Sequence, residues 1–374
     1  MFNKGIVHSA LFVISTAICQ SAQAENELNI KVGAHAFFDY ENVEIDSNNV
    51  VDGTNLRLFR VDVKGSYGDY AFTSNVDLHG DNVKVQDLFI QTGKTTKLRV
   101  GNFKIMNGLE QSSSLYALPF VEGNSVSKVN GLGRVLGVGV FHSFDNVHVS
   151  GGLFSANVNN VGDDDEMSVA GRIAAEFHPG GEPNTLHLGA SVRHRENADM
   201  SYYSYGQKPF ASSAPKTVKT PGFAGSDDFL GLEAAFVRNG LSLQSEVGLT
   251  QADCDTSACS DDPSFSTYYV DASYMWGGNR VLKDGLFKRD KVHNPASEGG
   301  PGAFGLSARY DVADLTDDAL NGGRQESFIL GATWYRDKYI RVMADYIHAE
   351  LEDSPAYGDA SVNSLVFRLQ AELY

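Results

Sequence analysis

The sequence lacks any long apolar segment. After the first 24 residues, no run approaches the roughly 18 consecutive apolar residues that indicate a membrane-spanning helix, so we expect no transmembrane helix. Proline and tryptophan are scarce, with 10 and 2 residues, whereas there are 38 glycines, 22 phenylalanines and 16 tyrosines. In a chain of 374 residues, this composition favours one large β-barrel over two soluble domains.

Cysteine is nearly absent, and its three positions are informative. Cys19 lies in the N-terminal segment, whereas Cys254 and Cys259 enclose the sequence Asp-Thr-Ser-Ala. In an exported protein this spacing favours a local disulfide, which we therefore predict. The alternative is a metal site that also uses the neighbouring aspartates. A four-residue spacing without a second cysteine pair or a nearby histidine is poor for zinc, so we expect no metal and no cofactor.

The first 24 residues have the pattern of a secretory signal peptide. Lys4 supplies a positive start, residues 10–19 are mostly apolar, and Ala22 and Ala24 form a small-x-small cleavage site. A lipoprotein signal ending at Cys19 is the alternative, and the bulky Ile18 before it disfavours that processing. We expect residues 1–24 to be removed on export and residues 25–374 to form a single domain.

Period-two alternation is the strongest pattern in the rest of the chain. Ile340, Val342 and Ala344, for example, interleave with Arg341 and Met343. Successive side chains of a strand point to opposite faces, so each such run predicts a strand with one apolar and one mostly polar face. Sixteen runs of this kind occur, at about residues 29–40, 55–67, 69–79, 84–91, 97–103, 134–144, 146–155, 167–177, 186–195, 229–237, 240–250, 267–276, 303–312, 326–336, 338–350 and 362–373.

The predicted connections alternate in length. Short turns alternate with longer connections at about 41–54, 104–133, 156–166, 196–228, 251–266, 313–325 and 351–361. This rhythm and the even strand number are typical of bacterial outer-membrane barrels, whose short turns lie on the periplasmic side. They disfavour a periplasmic β-sandwich. We therefore predict an all-β fold, a 16-stranded antiparallel transmembrane β-barrel in the outer membrane of a Gram-negative bacterium.

One connection breaks the rhythm. Residues 277–302 fall where a short periplasmic turn belongs, yet the segment is long and rich in lysine and arginine. It is either a solvated excursion into the periplasm or a segment that folds into the pore.

The formal net charge is −17, and much of the acid lies in the predicted outer loops. Such runs are usually solvated, although they also suit divalent cations near lipopolysaccharide. Pore selectivity depends instead on the inward face. On the predicted registers that face carries nine cations and eleven acids, a mixed wall in which Arg193 and Arg195 form a local basic strip. The cations are Lys31, Arg60, Lys64, Arg172, Arg193, Arg195, Arg309, Arg341 and Arg368, and the acids are Asp39, Asp62, Asp77, Asp87, Glu176, Glu233, Glu246, Asp271, Asp311, Asp345 and Glu372.

Several segments, taken in order, resemble the phosphate-selective porin O and P family. Residues 56–60, Leu-Arg-Leu-Phe-Arg, are similar to the family's arginine-bearing strand. Residues 87–90, Asp-Leu-Phe-Ile, resemble its Asp-Ala-Tyr-Leu element. Further similarities are Val-Gly-Asn-Phe-Lys at 100–104 with Gly-Leu-Glu at 108–110, and the closing strands at 302–311, 330–335 and 340–346. The chain departs from the family at Met106, where proline is expected, and at Gly123, where arginine is frequent.

The resemblance implies a homotrimeric channel with inward-folded loops, in which anions pass a constriction of arginines and a lysine. Residues 104–133 resemble the inward third loop, and the segment 277–302 resembles a periplasmic turn that also folds into the pore. Carried over, Arg60 and Lys104 become candidate anion contacts with Asp87 nearby, and Arg57 belongs to the same arginine-bearing strand.

We therefore expect passive diffusion of small anions or polar solutes, phosphate among them, with Arg57, Arg60, Lys104, Arg193 and Arg195 as candidate contacts. A general or cation-preferring porin is the alternative that the acidic tally favours. An adhesion barrel, with the loop at 196–228 contacting a partner, is another. The ten histidines are scattered and no serine motif has an informative spacing, so an outer-membrane enzyme is not expected. The expected surroundings are outer-membrane lipid and lipopolysaccharide, without nucleic acid.

Overall fold

The computed structural model describes residues 27–80, 82–131, 133–160, 166–181, 184–197 and 202–373. The expected signal peptide and most of the acidic run at 163–166 lie outside these residues. Sixteen antiparallel strands form one closed barrel. They are β1 (Asn29–Ile45), β2 (Asn48–Tyr67), β3 (Tyr70–Asp77), β4 (Lys84–Thr92), β5 (Thr96–Lys104), β6 (Arg134–Phe144), β7 (Val147–Phe154), β8 (Glu166–Phe177), β9 (Thr185–Asn197), β12 (Ala224–Arg238), β13 (Leu241–Cys254), β14 (Ser264–Trp276), β17 (Ala303–Asp317), β18 (Leu320–Tyr335), β19 (Ile340–Ser354) and β20 (Gly358–Leu373).

Four shorter strands lie outside the barrel sheet. They form two hairpins, β10 (Gly206–Gln207) with β11 (Val218–Lys219), and β15 (Gly278–Lys283) with β16 (Leu286–Val292). Helical turns in the described residues are short, at Leu109–Ser112, Leu115–Ala117, Ser125–Val129 and Ala296–Glu298. No helix in the described part of the chain is long and apolar enough to cross a membrane.

Each of the sixteen predicted strands is present, and β1 pairs with β20 to close the barrel. The predicted fold is therefore confirmed. The outward positions carry the apolar side chains that the alternation assigns to them, for example Ile90, Val100, Val138 and Leu232, and these are half exposed. Large aromatic side chains are exposed near the short turns, among them Tyr67, Tyr70, Phe144, Trp276, Phe304 and Trp334. Such an aromatic girdle marks the edge of the hydrocarbon layer.

Three of the predicted outer loops are wrong. Residues 41–54, 313–325 and 351–361 are mostly strand, because β1 with β2, β17 with β18 and β19 with β20 continue as long hairpins. The β1–β2 turn contains only Asp46 and Ser47, both with positive φ, as two-residue hairpin turns require. Above the membrane the outward face meets water and becomes polar, whereas inward positions such as Val43 and Ile45 are apolar and buried. The alternation typical of a lipid-facing strand is therefore lost although the strand continues.

Three segments fill the inside of the barrel. The inner loop, residues 105–133, enters between β5 and β6, and the periplasmic hairpin, residues 278–292, enters between β14 and β17. The lid, residues 202–223, precedes β12 and lies at the opposite, extracellular end. These segments decide which inward side chains remain accessible.

Candidate functional site

The inner loop is fixed to one side of the barrel by wall carboxylates. Glu246 of β13 accepts hydrogen bonds from the backbone N–H groups of Leu109 and Glu110, each at 2.8 Å. On the same side, Asp345 accepts from the N–H of Val121 at 2.7 Å. Asp311 likewise accepts from Ser125 at 3.1 Å. These acids satisfy loop backbone donors, so they do not line open water.

Wall arginines complete the attachment. Arg309, almost fully buried, donates to Glu110 of the inner loop at 2.6 Å and to Asp271 at 2.7 and 2.8 Å. Arg341 donates to the carbonyl oxygen of Leu118 at 2.9 Å. Arg368 is held by the neighbouring Asp39 at 2.6 and 2.8 Å. The charged residues of this wall therefore stabilise one another and the loop.

The periplasmic hairpin contacts both the wall and the inner loop. Arg172 of β8 donates to the carbonyl of Gly285 at 2.9 Å, and the N–H of Phe287 donates to the hydroxyl of Ser113 at 2.9 Å. Arg280 donates to the carbonyl of Ala117 at 2.8 Å. Of the two alternatives for the connection 277–302, the structure shows the inward-folded one.

The lid is anchored around the extracellular mouth. The N–H groups of Ser212 and Ser213 donate to Glu41 of β1, both at 2.8 Å. On the opposite side, Tyr205 donates its hydroxyl to Asp227 at 2.6 Å, and its side chain is fully buried. The lid therefore spans the mouth, and Tyr205 is not part of an exposed partner-binding patch.

Arg57 reaches the lumen because of a β-bulge. In the β1–β2 ladder Phe37 pairs with Leu58 and Phe38 pairs with Leu56, which leaves Arg57 as the extra residue. Its guanidinium makes a two-point contact with Glu122 of the inner loop, at 2.8 and 3.3 Å. The Arg57 side chain is 27% exposed.

Glu122 is surrounded by cations. Lys128 approaches it at 3.2 Å and Arg368 at 3.3 Å, in addition to Arg57. Burial alone would raise the pKa of Glu122, but these neighbouring positive charges outweigh it and hold the pKa well below the usual value. Because Arg368 is also bound to Asp39, two acids share three cations at this point.

Arg60, Lys104 and Asp87 lie on the same side of the lumen as Arg57. Arg60 pairs with Asp77 at 2.9 Å and is largely buried. The Lys104 ammonium donates to the carbonyl oxygens of Gln111 and Ser113 at 2.8 and 2.7 Å. Lys104 thus holds the start of the inner loop and retains one further N–H.

Asp87 has a partner that the sequence reasoning missed. Arg134 binds it at two points, at 3.0 and 3.1 Å, and both side chains are about one-fifth exposed. The only available signal was the position of Arg134 at the start of the strand that follows the inner loop. Asp87 is therefore neutralised where it meets the lumen.

Arg193 and Arg195 do not form an open basic strip. Both bind Asp227, the former at 2.8 Å and the latter at 2.5 and 2.8 Å. Arg193 also donates to the carbonyl of Asn130 at 2.8 Å and is 3% exposed. Asp227 belongs to β12, which begins within the segment expected to be a loop, so the sequence registers did not reveal this partner.

Several lysines, by contrast, have no acid partner. Lys31 and Lys64 are directly opposite in the β1–β2 register and are exposed. Within the described residues, lysine ion pairs involve only Lys94, Lys128 and Lys288. The lid lysines Lys208, Lys216 and Lys219 are therefore also unpaired, and the sequence reasoning did not single them out.

All eleven inward acids predicted from the sequence have a hydrogen-bonding partner, and apart from Asp87 their residues are buried. The partners are arginine or histidine side chains, or backbone N–H groups of the inner loop and the periplasmic hairpin. The accessible charge of the inner wall is therefore positive, although the count of residues is slightly acidic.

A cavity of about 510 Å³ lies between the lid and the inner loop. Its lining combines Arg57, Lys128, Lys208 and Lys216 with Glu122 as the acid. Burial and the repulsion of Lys219 and Lys208 lower the pKa of Lys216.

The remaining candidate residues lie outside the barrel lumen. Cys254 and Cys259 are joined by a disulfide between β13 and the loop that follows it. Among the described residues, no group of three or more histidine, cysteine, aspartate or glutamate side chains is arranged to hold a metal ion.

Comparison with solved structures supports the fold at low sequence identity. The chain is similar to outer-membrane expressed OmpT of Vibrio cholerae, with a TM-score of 0.60 and 10% identity over 94% of this chain and 100% of that one. It is also similar to an anion-selective porin from Comamonas acidovorans, with a TM-score of 0.59 and 12% identity over 93% and 100%. The outer membrane channel DcaP of Acinetobacter baumannii gives 0.57 and 11% over 94% and 99%.

Comparison at the sequence level gives the family. An uncharacterised protein of Caulobacter vibrioides is 26% identical over 310 residues, which cover 79% of this chain and 62% of the relative. The chain thus spans less than two thirds of that relative's length. The family model for phosphate-selective porin O and P matches residues 28–373, nearly the whole chain. The chain therefore belongs to the phosphate-selective porin O and P family.

Proposed function

We propose that this channel conducts small anions in preference to cations and that phosphate is among them. The observation that carries the proposal is the unequal use of charge inside the barrel. The inward acids bind arginines or loop backbone groups, whereas Lys31, Lys64 and the lid lysines have no acid partner. Accessible cations attract anions and raise their local concentration in a narrow, low-dielectric passage.

We assign the anion contacts of the constriction to Arg57 and Lys104, with Arg60 beside them and bound to Asp77. The side chain of Arg57 is partly exposed and is fixed by Glu122, so it presents its guanidinium to the lumen without closing it. Lys104 uses two of its three donors on carbonyl oxygens, which leaves one N–H for a passing anion. Arginine suits this role because it holds oxyanions without having to change protonation, and a lysine ammonium adds further donors.

Reversal potentials of the purified channel in a planar bilayer test the proposal. In a KCl gradient we expect a reversal potential whose sign shows that chloride permeates more readily than potassium. Phosphate added to KCl should block the current saturably. A reversal potential of the potassium sign, with no block by phosphate, would overturn the anion proposal. It would support a general or cation-preferring porin, the alternative favoured by the tally of eleven inward acids against nine inward cations.

We further propose that the protein is exported by residues 1–24 as a signal peptide and assembles as a homotrimer surrounded by lipid and lipopolysaccharide. The trimer is suggested by the family and by the similar Vibrio cholerae OmpT structure described as a trimer form. N-terminal sequencing of the mature protein and its mass in mild detergent test the two parts separately.

A further inference from the structure

The lid concentrates positive charge at the extracellular mouth of an acidic protein. Lys219 and Lys208 lie close to Lys216, and their positive charges disfavour the charged form of Lys216. None of the three forms an ion pair within the described residues. A cluster of like charges without compensation is unfavourable for the folded lid alone, and an anion with more than one negative charge would relieve the repulsion.

The cavity beneath the lid gathers cations from three separate segments. Arg57 comes from β2, Lys128 from the inner loop, and Lys208 and Lys216 from the lid. The cavity volume of about 510 Å³ falls within the roughly 300–1,000 Å³ of pockets that bind organic molecules. A tetrahedral ion of five heavy atoms would contact one side of such a space and leave the other to water.

One side of the cavity offers neutral polar groups. Gln207 is 3% exposed, lines the cavity, and its Oε1 atom has no hydrogen-bonding partner within the described structure. A buried amide oxygen without a partner is costly, and rotation of the Gln207 amide toward the cavity would let a ligand hydroxyl satisfy it. Asn55 and Ser213, hydrogen-bonded to each other at 2.9 Å, lie in the same lining. The apolar side chain of Phe210 completes this side.

We propose that this cavity is a binding site for hydroxylated organic phosphates, the class that includes sugar phosphates. The proposal rests on the proposed anion channel and makes its substrate class more specific. The phosphate group contacts Lys128, Lys208 and Lys216, while hydroxyl groups bind the amide of Gln207. Inorganic phosphate satisfies only the cationic side, and an uncharged sugar satisfies only the amide side.

The test compares three solutes on the purified full-length channel in planar bilayers. Glucose 6-phosphate, inorganic phosphate and glucose are each added to both chambers, and the concentration for half-maximal block of the KCl current is measured. We expect glucose 6-phosphate to block at about one tenth of the concentration that inorganic phosphate needs, a difference equal to one charge-assisted contact or one satisfied buried amide. Glucose should not block.

Two variants separate the sides of the site. Gln207→Ala should weaken block by glucose 6-phosphate about tenfold and leave block by inorganic phosphate unchanged, because only the hydroxyl contact is lost. Lys216→Met should weaken block by glucose 6-phosphate even if the Gln207 variant fails to assemble. Lys219→Met is the matched control, since Lys219 is exposed on the same lid and does not line the cavity.

The outcomes distinguish the organic phosphate site from the proposed anion channel on which it rests. Equal block by glucose 6-phosphate and inorganic phosphate overturns the organic phosphate site, as does a Lys219→Met effect as large as that of Lys216→Met. An anion-type reversal potential in the same experiments leaves the proposed channel function standing. A cation-type reversal potential removes that function, whatever the solutes do.

Discussion

The two sides of the barrel lumen use charge differently. On the docked wall, formed by β13, β14, β17, β19 and β20, charged side chains are buried and bind one another or the inner loop, as Arg309 binds Asp271 and Glu110. On the free wall, formed by β1–β6, several charges stay partly accessible, although Arg60 is buried against Asp77. Arg57 is 27% exposed, Arg134 18%, and Lys31 and Lys64 have no acid partner.

The difference shows that the ion selectivity of a pore depends on which charges are accessible to water, rather than on how many charges its wall carries. Buried ion pairs have strict partners, and each loses much of its solvation on folding. Accessible charges keep their field in water, where it acts on permeating ions. Changes to the docked wall should therefore alter stability, and changes to the free wall should alter selectivity.

The largest expected effect is on the docked wall. Arg309→Met leaves Asp271 and Glu110 buried without their cation, which should lower the free energy of unfolding by about 3–5 kcal/mol. Urea titration of the folded barrel, followed by its mobility shift on a gel, measures the loss. Arg324→Met is the control, because Arg324 pairs with acids at the exposed rim and should cost about 0–1 kcal/mol. Equal losses in both variants would contradict the contrast between the walls.

On the free wall, Arg57→Met should change selectivity more than stability. Loss of this cation leaves Glu122 with two cationic neighbours and exposes more of its negative charge to the lumen. A unit charge about 4 Å from a permeating ion is worth roughly 1 kcal/mol in water, so the anion-to-cation permeability ratio should fall about fivefold. Reversal potentials measure it. Arg57→Lys keeps the charge, and a shift as large as that of the methionine variant would show that charge is not the cause.

A smaller effect is expected at Lys104. Two of its donors already bind carbonyl oxygens, so Lys104→Ala removes one anion contact and should weaken phosphate block by about threefold, as for a solvent-screened pair. Titration of phosphate into KCl gives the half-blocking concentration. Unchanged block with noisier open-channel current would show that Lys104 only tethers the inner loop.

The smallest effect concerns pH and the lid. Only the protonated amine of Lys216 attracts an anion, so its contribution to block is present below its pKa and is lost as pH rises through that value. Because burial and the neighbouring lysines lower this pKa, the loss should begin at a lower pH than for an ordinary lysine, whose pKa is about 10.4. Lys216→Arg should retain block at higher pH. Identical pH profiles of wild type and variant would exclude a role for Lys216.

The sequence predicted the barrel well because its period-two signal is strong wherever one strand face meets lipid. It failed where that constraint ends. Residues 41–54 are strand above the membrane, where the outward face is polar and the apolar Val43 and Ile45 face inward. The sequence also named Arg57, Arg60, Lys104 and Asp87, which lie on one side of the lumen.

The sequence did not predict which charged side chains pair with each other across neighbouring strands. Asp227 neutralises Arg193 and Arg195 from a neighbouring strand, and Arg134 neutralises Asp87 across 47 residues of chain. Such pairs depend on register and on the first residue of a strand, and a shift of one residue changes both. The buried amide of Gln207 depends on how the lid folds, for which no periodic signal exists.

The bulge at Arg57 changes which residues of β2 face inward, from the even-numbered ones to the odd-numbered ones. Below it, even-numbered residues of β2 such as Leu58 and Arg60 face inward, and above it the odd-numbered Asn55 does. Deleting Arg57 would remove the residue at which the count changes from odd to even at this point of β2. The alternation would then run without interruption up to the next register shift, at Val50, so a one-codon deletion would remove a lumen cation and leave both lipid-facing neighbours in place. The ion selectivity of this wall can therefore change through deletion of a residue as well as through substitution.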